Sequence, residues 1–130
     1  MISRHLALVL SIFAATSLTH CAQGSCNFNI SDRDGNQFPT CIELVATSTA
    51  ISTTVLKDYC AMQSGTYAAS TACDGNTDVG RCQLPTRETR DSEGNAISYY
   101  YRYRFYRPLT VEQARTACSS VGGTFSEVTR

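Results

Sequence analysis

Histidine, the side chain that most often serves as a general base near neutral pH, occurs only near the amino terminus of this chain. The two histidines are His5 and His20, and both lie in a segment whose pattern is that of an export signal. Beyond that segment the sequence offers neither a Ser-His-Asp or Cys-His nucleophile pair nor a histidine-ligated zinc site. The remaining candidates for general acid–base work are carboxylates, such as Glu43, Asp58, Glu88 and Glu112. Nothing in their spacing brings two of them together, so we expect solvated surface charges and no enzymatic activity.

One group of oxygen-bearing side chains has the spacing of a calcium loop. Positions 1, 3, 5 and 12 of an EF-hand-like loop would be filled by Asp32, Asp34, Asn36 and Glu43. The glycine that such a loop needs at its sixth position is replaced by Gln37. Because turns rich in Asp and Asn often produce the same spacing, we expect no metal and no other cofactor.

The cysteines carry the clearest chemistry in the chain. Cys21 follows the amino-terminal segment, and six others remain: Cys26, Cys41, Cys60, Cys73, Cys82 and Cys118. No two of the six have the CxxC spacing of a zinc ribbon or a thioredoxin-like redox pair. In an exported domain they predict three disulfides, for which fifteen connectivities are open. Each bridge should add about 2–4 kcal/mol of stability.

The amino-terminal segment has the pattern of a secretory signal peptide. Arg4 and His5 precede an apolar run, residues 6–18, that contains no acid or amide. That run is too short to span a bilayer as a mature helix, although a buried amino-terminal helix is an alternative. We therefore interpret residues 1–20 as a signal peptide, which places the rest of the chain in an oxidising compartment.

Two cleavage sites for the signal peptide fit the residues that follow it. Residues 18–21, Leu-Thr-His-Cys, resemble a bacterial lipobox, in which the cysteine is lipidated and becomes the mature amino terminus; His20 departs from that pattern. Cleavage after Gly24 is the alternative, because residues 22–24 satisfy the small-x-small rule. Either route leaves six cysteines. We favour lipidation of Cys21, which lies three residues after the apolar run, and so predict an outer-membrane lipoprotein, or otherwise a secreted or periplasmic protein.

An aromatic stretch is predicted to form the central strand of the fold. Residues 97–107 hold six of the twelve aromatic residues. Side chains alternate along a strand, so one face is predicted to be the core face and carries Ile97, Tyr99, Tyr101, Tyr103 and Phe105. The opposite face is a candidate binding face, made of Tyr100, Arg102, Arg104 and Tyr106. Tyrosine and arginine are enriched at binding hot spots.

Capping and turn signals predict the elements around that strand. One helix is expected from Ser52 to Met62, and a second after Pro108, where residues 110–113 form a capping box. Residues 40–130 are therefore predicted to form one disulfide-rich domain. Residues 21–39, which are polar and rich in turn formers, are expected to be a tether and an irregular loop.

Aligning Cys60 with Cys118 reveals a possible repeat. The alignment places Gly65 on Gly123, Thr66 on Thr124 and Tyr67 on Phe125. Two β-α-β units joined by a hairpin would give an α+β fold, with two short helices on one face of a mostly antiparallel sheet.

This pattern of cysteines, glycines and aromatics resembles that of small cysteine-rich bacterial lipoproteins of uncharacterised function. The residues concerned are the tyrosine strand, residues 118–126, and the segment from Cys60 to Cys82. Because the pattern contains no catalytic motif, the resemblance implies an envelope location and no activity.

Charge and motifs together favour a binding or structural role. Once Arg4 is removed, ten basic residues face eleven acidic ones, so no broad attraction to nucleic acid is expected. We predict an envelope-anchored structural or binding module without catalysis, held to the membrane through an amino-terminal lipid and contacting an unidentified envelope macromolecule. The alternative is a freely secreted effector or inhibitor, in which Arg81 beside Cys82 would be presented on a braced loop. A third candidate is an enzyme that uses carboxylates alone.

Overall fold

The computed structural model describes residues 20–130, in which seven strands and two helices are formed. The predicted signal peptide lies outside the described residues except for His20. The strands are β1 (Cys21–Ser31), β2 (Gln37–Ala46), β3 (Thr66–Ala69), β4 (Asp78–Gln83), β5 (Arg87–Arg90), β6 (Ala96–Tyr106) and β7 (Thr124–Glu127), and the helices are α1 (Thr54–Met62) and α2 (Val111–Ser120). Within this part of the chain, neither helix is long and apolar enough to cross a bilayer.

The strands form one antiparallel sheet in the order β3-β1-β2-β6-β4-β7, and β5 pairs with the first residues of β6. The tyrosine strand β6 therefore lies near the centre, with β2 along one side. Both helices pack on the same face, α1 over β1 and β3 and α2 over β4 and β7. Three disulfides complete the domain. This arrangement confirms the predicted α+β fold class.

The sheet is built from two similar units, as the cysteine alignment predicts. In each unit a disulfide fastens the helix to a strand, through Cys26–Cys60 in the first and Cys82–Cys118 in the second. Cys26 lies opposite Tyr67, and Cys82 lies opposite Phe125. The units β1-β2-α1-β3 and β4-β6-α2-β7 meet where β2 pairs with β6. Each unit thus has one strand more than the predicted β-α-β repeat.

The extra strand in the first unit is β1, where a tether and loop were expected over residues 21–39. The segment pairs with β2 from Cys21 to Ser31, and only the short turn before Gln37 is irregular. Its polar residues alternate with buried ones, Cys26 and Phe28, in the two-residue period of a half-buried strand. The expectation of a tether was based on the number of polar residues in the segment. It was wrong because the alternation of those residues with buried ones is typical of a strand.

Each unit brings its helix close to the sheet through a glycine that follows the helix. A Cβ atom on Gly65 would lie 2.6 Å from the Cys26 sulfur, and one on Gly123 would meet the Cys82 sulfur. A side chain at either position would collide with the disulfide. The glycines that were predicted to end the helices therefore also allow the helix, the strand and the disulfide to approach one another.

The tyrosine strand contributes to both halves of the core. Tyr103 packs against the cluster around Cys26 and Cys60 and also against the cluster around Cys82 and Cys118. Tyr99 and Tyr101 remain half-buried, because the helices cover the outer strands of the sheet more than its centre. The predicted core face is confirmed, with more exposed aromatic surface than expected.

Candidate functional site

The face of the sheet opposite the helices, called the outer face below, carries a cluster of buried charges. The Glu43 side chain is fully buried, and its Oε1 accepts hydrogen bonds from the guanidinium groups of Arg102 at 2.7 Å and Arg104 at 3.1 Å. Its Oε2 accepts from the backbone amide of Cys73 at 2.8 Å. The expectation that Glu43 is a solvated surface charge was therefore wrong. The other three carboxylates named with it, at positions 58, 88 and 112, are exposed.

Asp78 is the second buried carboxylate of this cluster. It accepts hydrogen bonds from Arg104 at 2.9 Å, from Arg81 at 2.8 Å and from Arg130 at 2.8 Å. Arg104 therefore bridges the two carboxylates and is itself only 8% exposed. We call the six residues the outer-face ion network: Glu43, Asp78, Arg81, Arg102, Arg104 and Arg130.

Residues 70–77, which connect β3 to β4, form a crossing segment over this network. The disulfide Cys41–Cys73 fastens the segment to β2. Tyr106 donates its hydroxyl hydrogen to the carbonyl of Asp74 at 2.7 Å, and Gly75 lies against the Arg104 guanidinium. The crossing segment thus covers part of the outer face.

The predicted binding face is consequently divided. Arg104 is buried in the ion network, and Tyr106 is tied to the crossing segment through its hydroxyl group. Arg102 keeps 24% of its side chain exposed and lies over the Tyr100 ring at 5.9 Å. The four residues do not form the single open surface that the sequence suggested. Tyr100 and Arg102 keep exposed surface at one place, and the half-buried Tyr106 keeps some at another.

Burial and hydrogen bonding shift the pKa values of Asp78 and Arg104 in the network and of Tyr106 beside it. Burial alone would raise the pKa of the Asp78 carboxyl, but hydrogen bonds from Arg81, Arg130 and Arg104 lower that pKa to about 2. Burial also opposes the charged form of Arg104, yet its two carboxylate partners raise the guanidinium pKa. Burial and the nearby Asp78 charge raise the pKa of Tyr106. Near neutral pH Asp78 and Arg104 are therefore both charged.

Acid should weaken the fold through Asp78. Its pKa is lower in the folded chain, about 2, than the ordinary value of 3.8, so its contribution is complete above about pH 4 and is lost as the pH falls towards 2. At about 1.36 kcal/mol per pKa unit this shift is worth about 2–3 kcal/mol in full, of which about 2 kcal/mol is lost between pH 4 and pH 2. We expect urea unfolding of the unaltered protein to lose about that much more stability between pH 4 and pH 2 than unfolding of the variant Asp78→Asn. Equal losses in the two proteins would contradict this assignment.

A second feature of the outer face is an open groove of about 560 Å³ with an uncharged lining. We call it the amide groove, because it includes the side-chain amides of Asn27, Asn29, Gln37 and Gln63. Its complete lining is Asn27, Phe28, Asn29, Ser31, Gln37, Pro39, Thr40, Gln63, Ser64, Thr66 and Tyr106. The groove lies where β1 and β2 meet the connection between α1 and β3.

Sequence reasoning identified only Tyr106 of the residues in this groove. The alternation of Asn27 and Asn29 with buried residues could have revealed one wall, since it marks the exposed face of a strand. The approach of Gln63 could not have been predicted, because it depends on the disulfide that fastens α1 to β1.

The residues of the predicted calcium loop, and the arginine of the predicted inhibitor loop, have other roles in the structure. The Asp32 carboxylate accepts from the backbone amides of Asp34 and Asn36 and so closes the β1–β2 turn, whereas Glu43 binds arginines. Among residues 20–130, no three His, Cys, Asp or Glu side chains are grouped to hold a metal ion. Arg81 lies on β4, where Asp78 engages it, and not on a protruding loop.

All six predicted disulfide cysteines are paired, and Cys21 lies outside these bridges on the surface. Three disulfides indicate an extracytoplasmic protein, because reducing compartments do not maintain such bridges. The site itself offers fixed charges that are satisfied within the protein and a neutral groove lined by hydrogen-bonding groups. No family model matches the chain, and none of the curated proteins or solved structures compared with it matches either.

Proposed function

We propose that this protein is a binding module of the bacterial envelope, without catalytic activity, that is anchored to a membrane through a lipid on Cys21. Its three disulfides support a location outside the cytoplasm. The anchor is supported by the position of Cys21, and the binding role by the surface that the fold presents away from it.

The observation that carries the proposal is that β1 begins at Cys21. Residues from Cys21 to Gly24 pair with the end of β2, opposite Ala46 to Leu44. Gly24 is also buried, and a Cβ atom there would lie 2.7 Å from the Tyr67 hydroxyl. Cleavage before Cys21 keeps these contacts in the mature protein.

Cleavage after Gly24 would remove them. It would also place a charged amino terminus on Ser25, which is only 1% exposed, and the removal of a charge from water is costly. The structure of β1 therefore favours cleavage at the lipobox, before Cys21, over cleavage after Gly24.

The distance between the anchor and the amide groove also fits this role. Asn29 lies eight residues after Cys21 on the same strand, which corresponds to about 26 Å at the usual rise per residue. A lipid on Cys21 would hold that end of the sheet at the membrane, since a mature chain beginning there has no spacer before the first strand. The groove would then face away from the membrane, where a ligand can reach it.

The ion network supports a role without catalysis. Each of its two buried carboxylates contacts more than one arginine, so their oxygens are engaged by donors of the protein. The pKa of Asp78 is held at about 2, so this carboxyl is not poised to exchange a proton near pH 7. A network of this kind holds the crossing segment on the sheet and supports a rigid surface.

The anchor can be tested by changing Cys21 to Ala and fractionating cells of the source bacterium. We expect the unaltered protein in the membrane fraction and the variant Cys21→Ala in the soluble fraction. The control is the double variant Cys82→Ala with Cys118→Ala, which loses two cysteines but keeps Cys21 and should stay with the membrane. An unaltered protein that is soluble and begins at Ser25 would contradict the anchor and favour a freely secreted effector.

A further inference from the structure

We infer that the amide groove is a binding site for a neutral carbohydrate. The inference deepens the proposed function, because it names the ligand class of the anchored module. It is carried by the uncharged lining, by side-chain amides that have no partner in the protein, and by an aromatic ring held in a fixed position.

The charge of the lining excludes ionic ligands. The groove contains no acidic or basic side chain, and the nearby charges of Glu43, Asp78 and Arg104 are buried and satisfied by one another. A phosphate, a carboxylate or a cation would lose its water without gaining an opposite charge, which is unfavourable. A ligand of this groove is therefore neutral.

The amides supply the hydrogen bonds. Within residues 20–130, the side chains of Asn27, Asn29, Gln37 and Gln63 make no hydrogen bond to another protein group. Each primary amide presents two donor hydrogens beside an acceptor oxygen. A sugar hydroxyl is likewise both a donor and an acceptor, so neighbouring hydroxyls of one ring can bind a single amide through two hydrogen bonds.

Tyr106 supplies the apolar part of the site. Its ring is half-buried, and its hydroxyl group is fixed by the hydrogen bond to the Asp74 carbonyl at 2.7 Å. The C–H side of a sugar ring can lie against such an aromatic surface. Because the ion network and the Cys41–Cys73 bridge hold the crossing segment, the ring is positioned before any ligand arrives.

Size and shape favour a short oligosaccharide over a peptide. A volume of about 560 Å³ lies within the usual range of ligand sites. A peptide or protein partner is usually held by buried aromatic or aliphatic anchors in apolar pockets. Carbon surface in this lining comes mainly from Pro39 and Tyr106, because the Phe28 ring packs into the core on the helix side of the sheet, and the rest is polar.

The test is an NMR titration of the mature, disulfide-bonded protein in detergent micelles. The probes are four neutral trisaccharides, built of glucose in α or β linkage, of mannose, or of N-acetylglucosamine, with trigalacturonic acid as the charged comparison. We expect at least one neutral trisaccharide to shift the backbone amide signals of Asn27, Asn29 and Thr66, and the acidic one to leave them unchanged. Shifts from the acidic sugar alone, or from none of the five, would overturn the proposal.

Two variants and one control locate the site. The double variant Asn27→Ala with Asn29→Ala should weaken binding at least tenfold, and so should Gln63→Ala combined with Asn29→Ala, which acts from a different element. The control is Gln83→Ala, because Gln83 is the residue of the second unit that is equivalent to Asn27. Each follows a strand cysteine, and each lies opposite a threonine: Thr66 for Asn27 and Thr124 for Gln83. Gln83 lies outside the groove, so this change should alter affinity less than twofold.

Equal losses of affinity in the two variants and the control would overturn the assignment to this groove. So would a titration in which an uncharged decapeptide binds and none of the sugars does. The titration does not depend on acylation of Cys21. Its failure would therefore leave the anchor standing, and failure of the fractionation experiment would leave carbohydrate binding standing.

Discussion

Replacing Glu43 with Gln is expected to lower the free energy of unfolding by about 3–5 kcal/mol, the usual result of breaking a buried ion pair from one side. The carboxylate is fully buried and accepts hydrogen bonds from Arg102, Arg104 and the Cys73 amide. Glutamine has the same shape, but its NH2 group would point at one of these hydrogen-bond donors and could not accept from it. The change would also remove the negative charge that balances Arg104. Urea unfolding at pH 7 measures the loss.

A matched control is Glu112→Gln on α2. Glu112 is 83% exposed, and its oxygen lies 3.8 Å from Arg115, so this pair is a surface ion pair. Such pairs contribute about 0–1 kcal/mol. If the change at Glu43 cost no more than the change at Glu112, the ion network would not be a structural element of the fold.

Removing the disulfide of the second unit, by changing Cys82 and Cys118 to Ala, is expected to cost about 4 kcal/mol. The bridge closes a loop of 36 residues, for which the loss of chain entropy in the unfolded state predicts about that value. The bridge also fastens α2 to β4, so α2 should lose amide protection first in hydrogen exchange.

The other two bridges provide the comparison. Cys26–Cys60 occupies the equivalent place in the first unit with a separation of 34, so its removal should cost the same within about 1 kcal/mol. Removal of Cys41–Cys73 should cost more than its separation of 32 predicts, because it also releases the crossing segment from Glu43. Three equal losses would show that loop closure alone determines stability.

Local signals were sufficient to predict several elements of this fold. The capping box of α2 is present as expected: Thr110 accepts from the Gln113 amide at 3.2 Å, and the Gln113 side chain accepts from the Thr110 amide at 2.9 Å. The tyrosine strand was predicted from its alternation, because an apolar period of two residues is typical of a half-buried strand and not of a helix. Both predictions depend on residues that are neighbours in the sequence.

The repeat extends further than the cysteine alignment indicated. Lys57 and Arg115 each stand three residues before a helix cysteine and lie over the rings of Tyr67 and Phe125 at 5.5 and 4.8 Å. A glycine stands two residues before each strand cysteine and packs against the same ring. The correspondence of Lys57 with Arg115 follows from the alignment of Cys60 with Cys118. The two glycines correspond only once β1 is aligned with β4, a step that the interpretation of β1 as a tether prevented.

The ion network could not be predicted, because Glu43, Asp78 and Arg104 come together only through the pairing of their strands. Ser25 lies opposite Glu43, and Arg81 lies opposite Arg104, so Glu43 and Arg104 occupy equivalent places in the two units. These two places carry opposite charges and bind each other at 3.1 Å. The pairing of residues 61 positions apart is a property of the sheet, and neither side chain differs locally from a surface charge.

The lipid anchor and the carbohydrate site remain predictions, and they are linked by the geometry of β1. One end of that strand carries Cys21, and the other contributes Asn27 and Asn29 to the groove. A rigid strand between the two places would present the groove at a constant distance from the membrane. Evidence on the true amino terminus therefore bears on both proposals.

The most direct test of the central claim is the intact mass of the protein extracted from its own envelope, recorded with and without alkylation under denaturing conditions. We predict a chain that begins at Cys21, carries acyl groups on that residue and shows no reactive thiol, because the other six cysteines are bridged. A mass that corresponds to an unmodified chain beginning at Ser25, or alkylation of two or more cysteines, would contradict an anchored module held by three disulfides.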